Sequence, residues 1–125
     1  MAYTPLGTFA QDIAMIASGA YATGSTIIAN GQTVGGVISM PALGRLSGIQ
    51  IPAAFTGTAI SFQVSMDNVT FGTFKQGGAA VSITVAVSDC VDVLGAYPGL
   101  TAWPYVKVVS NAAEGGARTL NYVLV

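Results

Sequence analysis

The chain has 125 residues, which fits one domain with a single sizeable core. Only 7% of the residues are charged, against about 25% in an ordinary soluble domain, while 52% are hydrophobic and the formal net charge is −1. The four basic residues are scattered, so they do not form the clustered positive surface that nucleic acids need. We therefore expect no nucleic-acid partner and a surface that is largely shared with other protein subunits.

The residue types of most catalytic and metal sites are scarce. Histidine is absent, which excludes Ser-His-Asp and Cys-His nucleophiles and histidine-bearing zinc sites. The lone Cys90 lies between Asp89 and Asp92, whose negative charge disfavours a thiolate, so we interpret it as structural or incidental. Neither 66–69 nor 89–92 offers the oxygen donors of a calcium loop or a glycosidase carboxylate pair. We expect a non-enzymatic protein without cofactor or metal.

A membrane segment is not expected. No charged residue lies between Asp12 and Arg45, but glycines, Asn30 and Pro41 interrupt this span well short of the ~18 apolar residues of a spanning helix. The start, MAYTPLGTFA, lacks the basic and apolar regions of a signal peptide. With a single cysteine, this favours folding in a reducing cytoplasm.

Residues 1–10 are predicted to form an extended arm. Pro5 and Gly7 oppose both helix and strand, and no regular period is present. The arm nevertheless carries three large apolar side chains, Tyr3, Leu6 and Phe9. Since such side chains gain stability only by burial, we predict that the arm docks on another protein surface.

Residues 11–125 are predicted to form one domain of short strands. Apolar alternation and turn residues place strand candidates at 11–18, 25–29, 35–39, 45–51, 60–66, 71–74, 79–88, 91–94, 103–110 and 117–125. Gly48 is expected at a bulge or a close backbone approach. About eight short strands with frequent turns indicate an all-β fold, an antiparallel β-sandwich or jelly roll.

Two segments carry the clearest alternation. In the first, Ile60, Phe62, Val64 and Met66 lead to an Asp67-Asn68 turn and a return strand, a pattern typical of a hairpin. In the second, residues 79–88, the side chains of Val81, Ile83, Val85 and Val87 share one face. The residues predicted to be buried are Phe62, Val64, Val81, Ile83, Val85, Val108 and Leu120.

Three aromatic residues, Tyr97, Trp103 and Tyr105, cluster around one loop and the start of a strand. A sugar-binding module would use such rings as stacking platforms. Alternatively, Trp103 closes the end of the core and Tyr105 lies across a subunit contact. The core or interface interpretation is the more economical one for a chain with a single tryptophan.

Several segments resemble small β-sandwich proteins of tailed-phage virions, which serve as head decoration, cement or minor head proteins. They are ASGAYATGSTI (17–27), GRLSGIQIPAAFTGTAISFQVSMDNVTF (44–71), WPYVKVVSN (103–111) and ARTLNYVLV (117–125). Asp67-Asn68 stands where that group usually has Asp-Gly. The strand with a serine followed by an Asp turn and a phenylalanine is also similar to discoidin-like jelly rolls, many of which bind sugars.

The resemblance implies a homo-oligomer, with a trimer favoured, that binds the major capsid protein on the capsid surface after synthesis in the bacterial cytoplasm. The alternative that it implies is a glycan-binding module of a phage head or tail fibre. The interface candidates are then the arm residues Tyr3, Leu6 and Phe9 and the aromatic residues Tyr97, Trp103 and Tyr105.

Overall fold

A computed structural model of the chain describes residues 21–40 and 44–125. The predicted arm, 1–10, and the predicted first strand, 11–18, lie outside the described residues. The described part is nearly all β, with several antiparallel sheets and one 3₁₀ turn, which confirms the all-β prediction.

Eleven strands are present in the described ranges, more than the eight or so predicted, because several are only two residues long. They are β1 Ala22–Ile28, β2 Ile38–Ser39, β3 Leu46–Gln50, β4 Ala59–Ser65, β5 Gly72–Thr73, β6 Lys75–Gln76, β7 Ala79–Ala80, β8 Ile83–Thr84, β9 Cys90–Asp92, β10 Tyr105–Ser110 and β11 Arg118–Leu124. The 3₁₀ turn is Leu100–Ala102.

The strands form two main sheets. The first has the order β1-β11-β3-β9, and the second has the order β2-β10-β4-β5. Strand β10 pairs along β4 from Ser110↔Ile60 to Tyr105↔Ser65, so β5 and β8 share the other edge of β4. Strands β6 and β7 form a separate hairpin.

Buried side chains of both main sheets belong to one hydrophobic core. Six predicted core residues are buried, namely Phe62, Val64, Val81, Val85, Val108 and Leu120. Ile83 was also predicted to be buried, but it is only partly buried and packs against the core. The alternation of β4 stops before Met66, which is 72% exposed although it continues the apolar pattern.

The predicted strand 79–88 was wrong in its extent. Only β7 and β8 form there, and Val87 is 53% exposed. Strand β8 meets β4 only at Ala59 and Ile60, because β5 already pairs with the other half of the same edge. The segment then turns, with Asp89 Oδ2 accepting a hydrogen bond from the Ala86 N–H at 2.7 Å. Alternation sets the side that faces the core, whereas the free partner edge sets the length of a strand.

Glycines shape a hairpin turn and confirm the close backbone approach predicted at Gly48. The β6–β7 hairpin turns through Gly77 and Gly78, whose φ angles of 62° and 84° suit a two-residue turn of type I′. Gly48 lies beside a β-bulge, because the β3–β11 register shifts between Val123 and Leu124. A Cβ atom at Gly48 would lie 3.0 Å from the Val91 carbonyl oxygen, so the backbone approaches closely there as well.

Connections between the two sheets define two ends of the domain. At the end that we call the Glu114 end, β1 runs into the bridge Val34↔Val109 of the second sheet, and the β10–β11 loop holds Glu114. At the other end, which we call the Trp103 end, the Met40 N–H donates to the Pro104 carbonyl at 2.9 Å. Strands β1 and β3 begin at the Trp103 end, and β4 finishes there.

Candidate binding cleft at the Trp103 end

A cleft of about 430 Å³ opens at the Trp103 end. Its apolar lining comes from Val64 on β4, Phe74 between β5 and β6, and Trp103 just before β10. The other lining residues, which we call the rim, are mostly polar: Ser65, Met66, Asp67, Thr70, Gly72, Thr73 and Lys75. An apolar surface with a few convergent polar groups is the usual composition of a binding site.

The loop that follows β4, residues 66–70, is held by its own polar groups. Asp67 Oδ1 accepts hydrogen bonds from the Val69 and Thr70 N–H groups, both at 2.9 Å. The Ser65 hydroxyl donates to the same oxygen at 2.9 Å and accepts from the Asn68 N–H at 3.0 Å. Asn68 has a φ of 62°, as expected for an asparagine in the turn. We call residues 66–70 the tip loop.

The electrostatics of the rim are set by Asp67 and Lys75. The Thr70 N–H, followed by the Val69 N–H and the Ser65 hydroxyl, lowers the pKa of the Asp67 carboxyl below its usual value. Asp67 is therefore ionised at neutral pH, and it lines the cleft together with Lys75. The rim thus offers one anion, one cation and the hydroxyls of Thr70 and Thr73.

The tip loop also presents aliphatic side chains to solvent. Met66 is 72% exposed and Val69 is 81% exposed. Both residues belong to the tip loop, whose backbone is held by hydrogen bonds to Asp67 and Ser65. The tip loop therefore has a fixed backbone, and its two aliphatic side chains make few contacts within the described part of the chain.

Of the three aromatic residues predicted to act together, one lines the cleft. Trp103 lines the cleft, and it also packs against the hydrophobic core. Tyr97 is half-buried against the core and does not line the cleft. Tyr105 lies on β10, paired with Ser39 and Ser65, and is also outside the cleft lining. Tyr3, Leu6 and Phe9 lie outside the described residues.

A second groove, of about 500 Å³, lies on the first sheet. By strand register, Thr23, Val123, Gly48 and Asp92 form one outward row across it. Its tyrosine, Tyr122, is paired with the buried Ile49, which puts the ring on the core side of the sheet. The groove runs over Gly48 and has apolar as well as polar lining residues, whereas the Trp103 cleft combines an aromatic ring with the polar residues that end β4.

Sequence reasoning missed the most connected polar residue, Glu114. Its side chain is buried at the opposite end of the domain and ties the β3–β4 loop to the β10–β11 loop. The Thr56 and Gly57 N–H groups donate to its two oxygens at 2.8 and 3.1 Å. The Ser110 hydroxyl and Arg118 Nε complete the set at 2.9 and 3.1 Å. The sequence does contain a pattern that could have predicted this network, because Ser110 and Arg118 each lie four residues from Glu114.

The environment of Glu114 keeps it charged. Burial alone raises its pKa, but hydrogen bonds from Thr56, Ser110, Arg118 and Gly57 together outweigh burial and lower the pKa below its usual value. Every strong donor near the carboxylate is thus used inside the fold. Glu114 thus joins the β3–β4 loop to the β10–β11 loop, and its charge is balanced by Arg118. We call this arrangement the Glu114 clasp.

Cys90 is exposed on β9. Among residues 21–40 and 44–125, no three or more cysteine or acidic side chains converge on a possible metal position. In the same ranges no helix is long and apolar enough to cross a membrane.

Comparison with known proteins gives no relatives. The chain matches no protein-family profile, no curated protein and no solved structure.

Proposed function

We propose that the chain is a non-enzymatic structural protein of a tailed-phage virion. In this proposal it is a capsid decoration or cement protein, which binds the major capsid protein from outside as an oligomer, with a trimer favoured. It would reinforce contacts between capsomers after synthesis in the bacterial cytoplasm. Neither a nucleic acid nor a membrane is a partner in this proposal.

The finer architecture proposed with this function is an antiparallel β-sandwich or jelly roll. Two observations support it. The buried residues of the four-stranded and five-stranded sheets belong to one hydrophobic core, and the chain passes between the sheets at both ends. A compact module of this kind is suited to repeated placement on a particle surface.

The observation that most supports this function is the tip loop, which we propose as the contact with the capsid. Met66 and Val69 are exposed on a loop that is already ordered by Asp67 and Ser65. A loop fixed before binding loses little conformational entropy on contact, so its apolar side chains can contribute fully to an interface. The low charge of the chain, 7% of residues, favours protein contact in the same way.

Co-sedimentation with capsids of the encoding phage tests the proposal. We expect the Met66→Ser/Val69→Ser variant to bind capsids at least about tenfold more weakly, because two aliphatic anchors become polar. The matched control is Val87→Ser, which changes an exposed valine at the Glu114 end and should leave binding unchanged. Equal binding by all three proteins would contradict the proposed role of the tip loop.

A second candidate function is a carbohydrate-recognition module of a phage head or tail fibre. The observation that favours it is the cleft itself, where the Trp103 ring lies with Asp67, Thr70, Thr73 and Lys75. Aromatic rings bind sugar faces, and the polar groups could bind hydroxyls. Glycan-array binding that disappears in a folded Trp103→Ala variant would favour this function. Capsid binding that persists in the same variant would favour the decoration protein.

A further inference from the structure

We infer that the Trp103 cleft of one copy receives residues 1–10 of a second copy, with Tyr3, Leu6 and Phe9 covering the apolar floor. This inference rests on the self-association in the proposed function. It assigns a specific occupant to the cleft, and it gives the three apolar residues of this segment a surface on which they are buried.

The position of Tyr21 is the first observation. Strand β1 begins at Ala22, which is paired with Leu124, while Arg45 and Val125 exchange backbone hydrogen bonds of 2.7 and 2.8 Å beside it. The Arg45 guanidinium donates to the Pro98 carbonyl at 2.8 Å, in the segment that leads to Trp103. The first described residue, Tyr21, therefore lies at the end that carries the cleft.

The length of the segment is the second observation. Phe9 is twelve residues before Tyr21 (21 − 9), which allows a reach of up to about 40 Å for an extended chain. A domain of about 100 residues has a radius of gyration of only about 13 Å. Residues 1–10 can therefore extend beyond their own domain to a copy that meets it at the Trp103 end.

The chemistry of the two surfaces is complementary. The segment MAYTPLGTFA has no charged side chain, and its large residues are apolar or, in Tyr3, apolar with one hydroxyl. The cleft floor consists of Val64, Phe74 and Trp103, and its volume of about 430 Å³ is within the range of sites that bury large apolar groups. Thr70 and Thr73 on the rim can bind backbone groups of an extended segment.

A second copy is the source because the same end carries the exposed tip loop. Met66 lines the cleft and Val69 is exposed in the same loop, so copies that associate at this end bring their clefts and N-terminal segments close together. Exchange of a segment between identical copies that are already in contact has a low cost in free energy. Passing the segment from each copy to the next closes a ring, in keeping with the trimer of the proposed function.

Disulfide trapping in purified full-length protein tests this directly. In a Cys90→Ser background, chains with Thr4→Cys or Thr8→Cys are mixed with chains carrying Thr73→Cys on the cleft rim. These positions leave Tyr3, Leu6 and Phe9 intact. Thr119→Cys, an exposed position on β11, is the matched control. We expect covalent dimers with Thr73→Cys to form at least about tenfold faster than with Thr119→Cys, since disulfides need Cα atoms within about 7 Å.

Each other outcome contradicts the inference. If the double variant Thr8→Cys/Thr73→Cys is linked only within single chains, the segment occupies its own cleft. If Thr73→Cys and Thr119→Cys react equally, the segment does not dock there. Because no capsid is present in this assay, its result is independent of whether the protein binds capsids.

Discussion

Glu114 is enclosed by donors from three segments of the chain, and its charge is balanced by Arg118. Glu114→Gln keeps the size but removes the charge, and it places an NH₂ group against N–H and hydroxyl donors. We expect the free energy of unfolding to fall by about 3 kcal/mol, as for other buried, charge-assisted networks that lose one partner. Urea denaturation at neutral pH measures this.

The control for Glu114→Gln is Asp92→Asn. Asp92 is an exposed carboxylate that accepts one hydrogen bond, from the Gly95 N–H at 3.1 Å. Its substitution should lower the free energy of unfolding by no more than about 1 kcal/mol. Equal losses in the two variants would show that the Glu114 clasp is no stronger than an ordinary surface turn.

The pH dependence follows from the direction of the Glu114 pKa. The pKa is lower in the folded protein than in the unfolded chain, so the charged carboxylate stabilises the fold above the ordinary glutamate pKa of 4.5. This stabilisation is lost as pH falls through the folded pKa. The difference in urea midpoint between the parent and Glu114→Gln should therefore be largest near neutral pH and shrink below pH about 4. A difference that stays constant from neutral to acid pH would contradict the assignment.

At the scale of the element, strand β4 supplies central side chains of the hydrophobic core. Phe62 is fully buried, whereas its neighbour Gln63 points to the other side of the same strand and pairs with Lys107 and Thr73. We expect Phe62→Ala to lower the free energy of unfolding by about 3–5 kcal/mol, through lost burial and a cavity. Gln63→Ala is the control and should cost less than about 1 kcal/mol. A parent-like denaturation midpoint for Phe62→Ala would show that the core face is wrongly assigned.

The strands show what alternation can and cannot predict. It gave the buried faces of β4, β10 and β11, where long ladders run along a neighbour. It failed at 79–88, where the only available edge was already half occupied by β5. Strand length depends on long-range pairing, which a local pattern does not contain.

The candidate site was only partly predictable for the same reason. Trp103 could be selected as a rare aromatic residue, and it does line the cleft. Its actual neighbours, Asp67 and Lys75, are separated from it by about thirty residues or more in sequence and come together only through the β4–β10 pairing. Tyr97 and Tyr105 are closer in sequence but lie elsewhere.

At the scale of the whole molecule, the low charge predicts how copies associate. With nine charged residues in the chain, four basic and five acidic, few ion pairs are available for screening by salt. We expect sedimentation equilibrium to show an oligomer at micromolar concentration, with a dissociation constant that changes less than about threefold between about 0.05 and 0.5 M NaCl. A monodisperse monomer would count against the free trimer, and a steep salt dependence would count against apolar contacts.

The most direct test of the proposed function is electron cryo-microscopy of capsids from the encoding phage, with and without added protein. The account predicts density for the domain on the outer capsid surface at symmetry-related positions between capsomers, with the Trp103 end toward the capsid or toward neighbouring copies. Capsids that carry no such density at saturating protein, or density confined to a tail fibre, would contradict it.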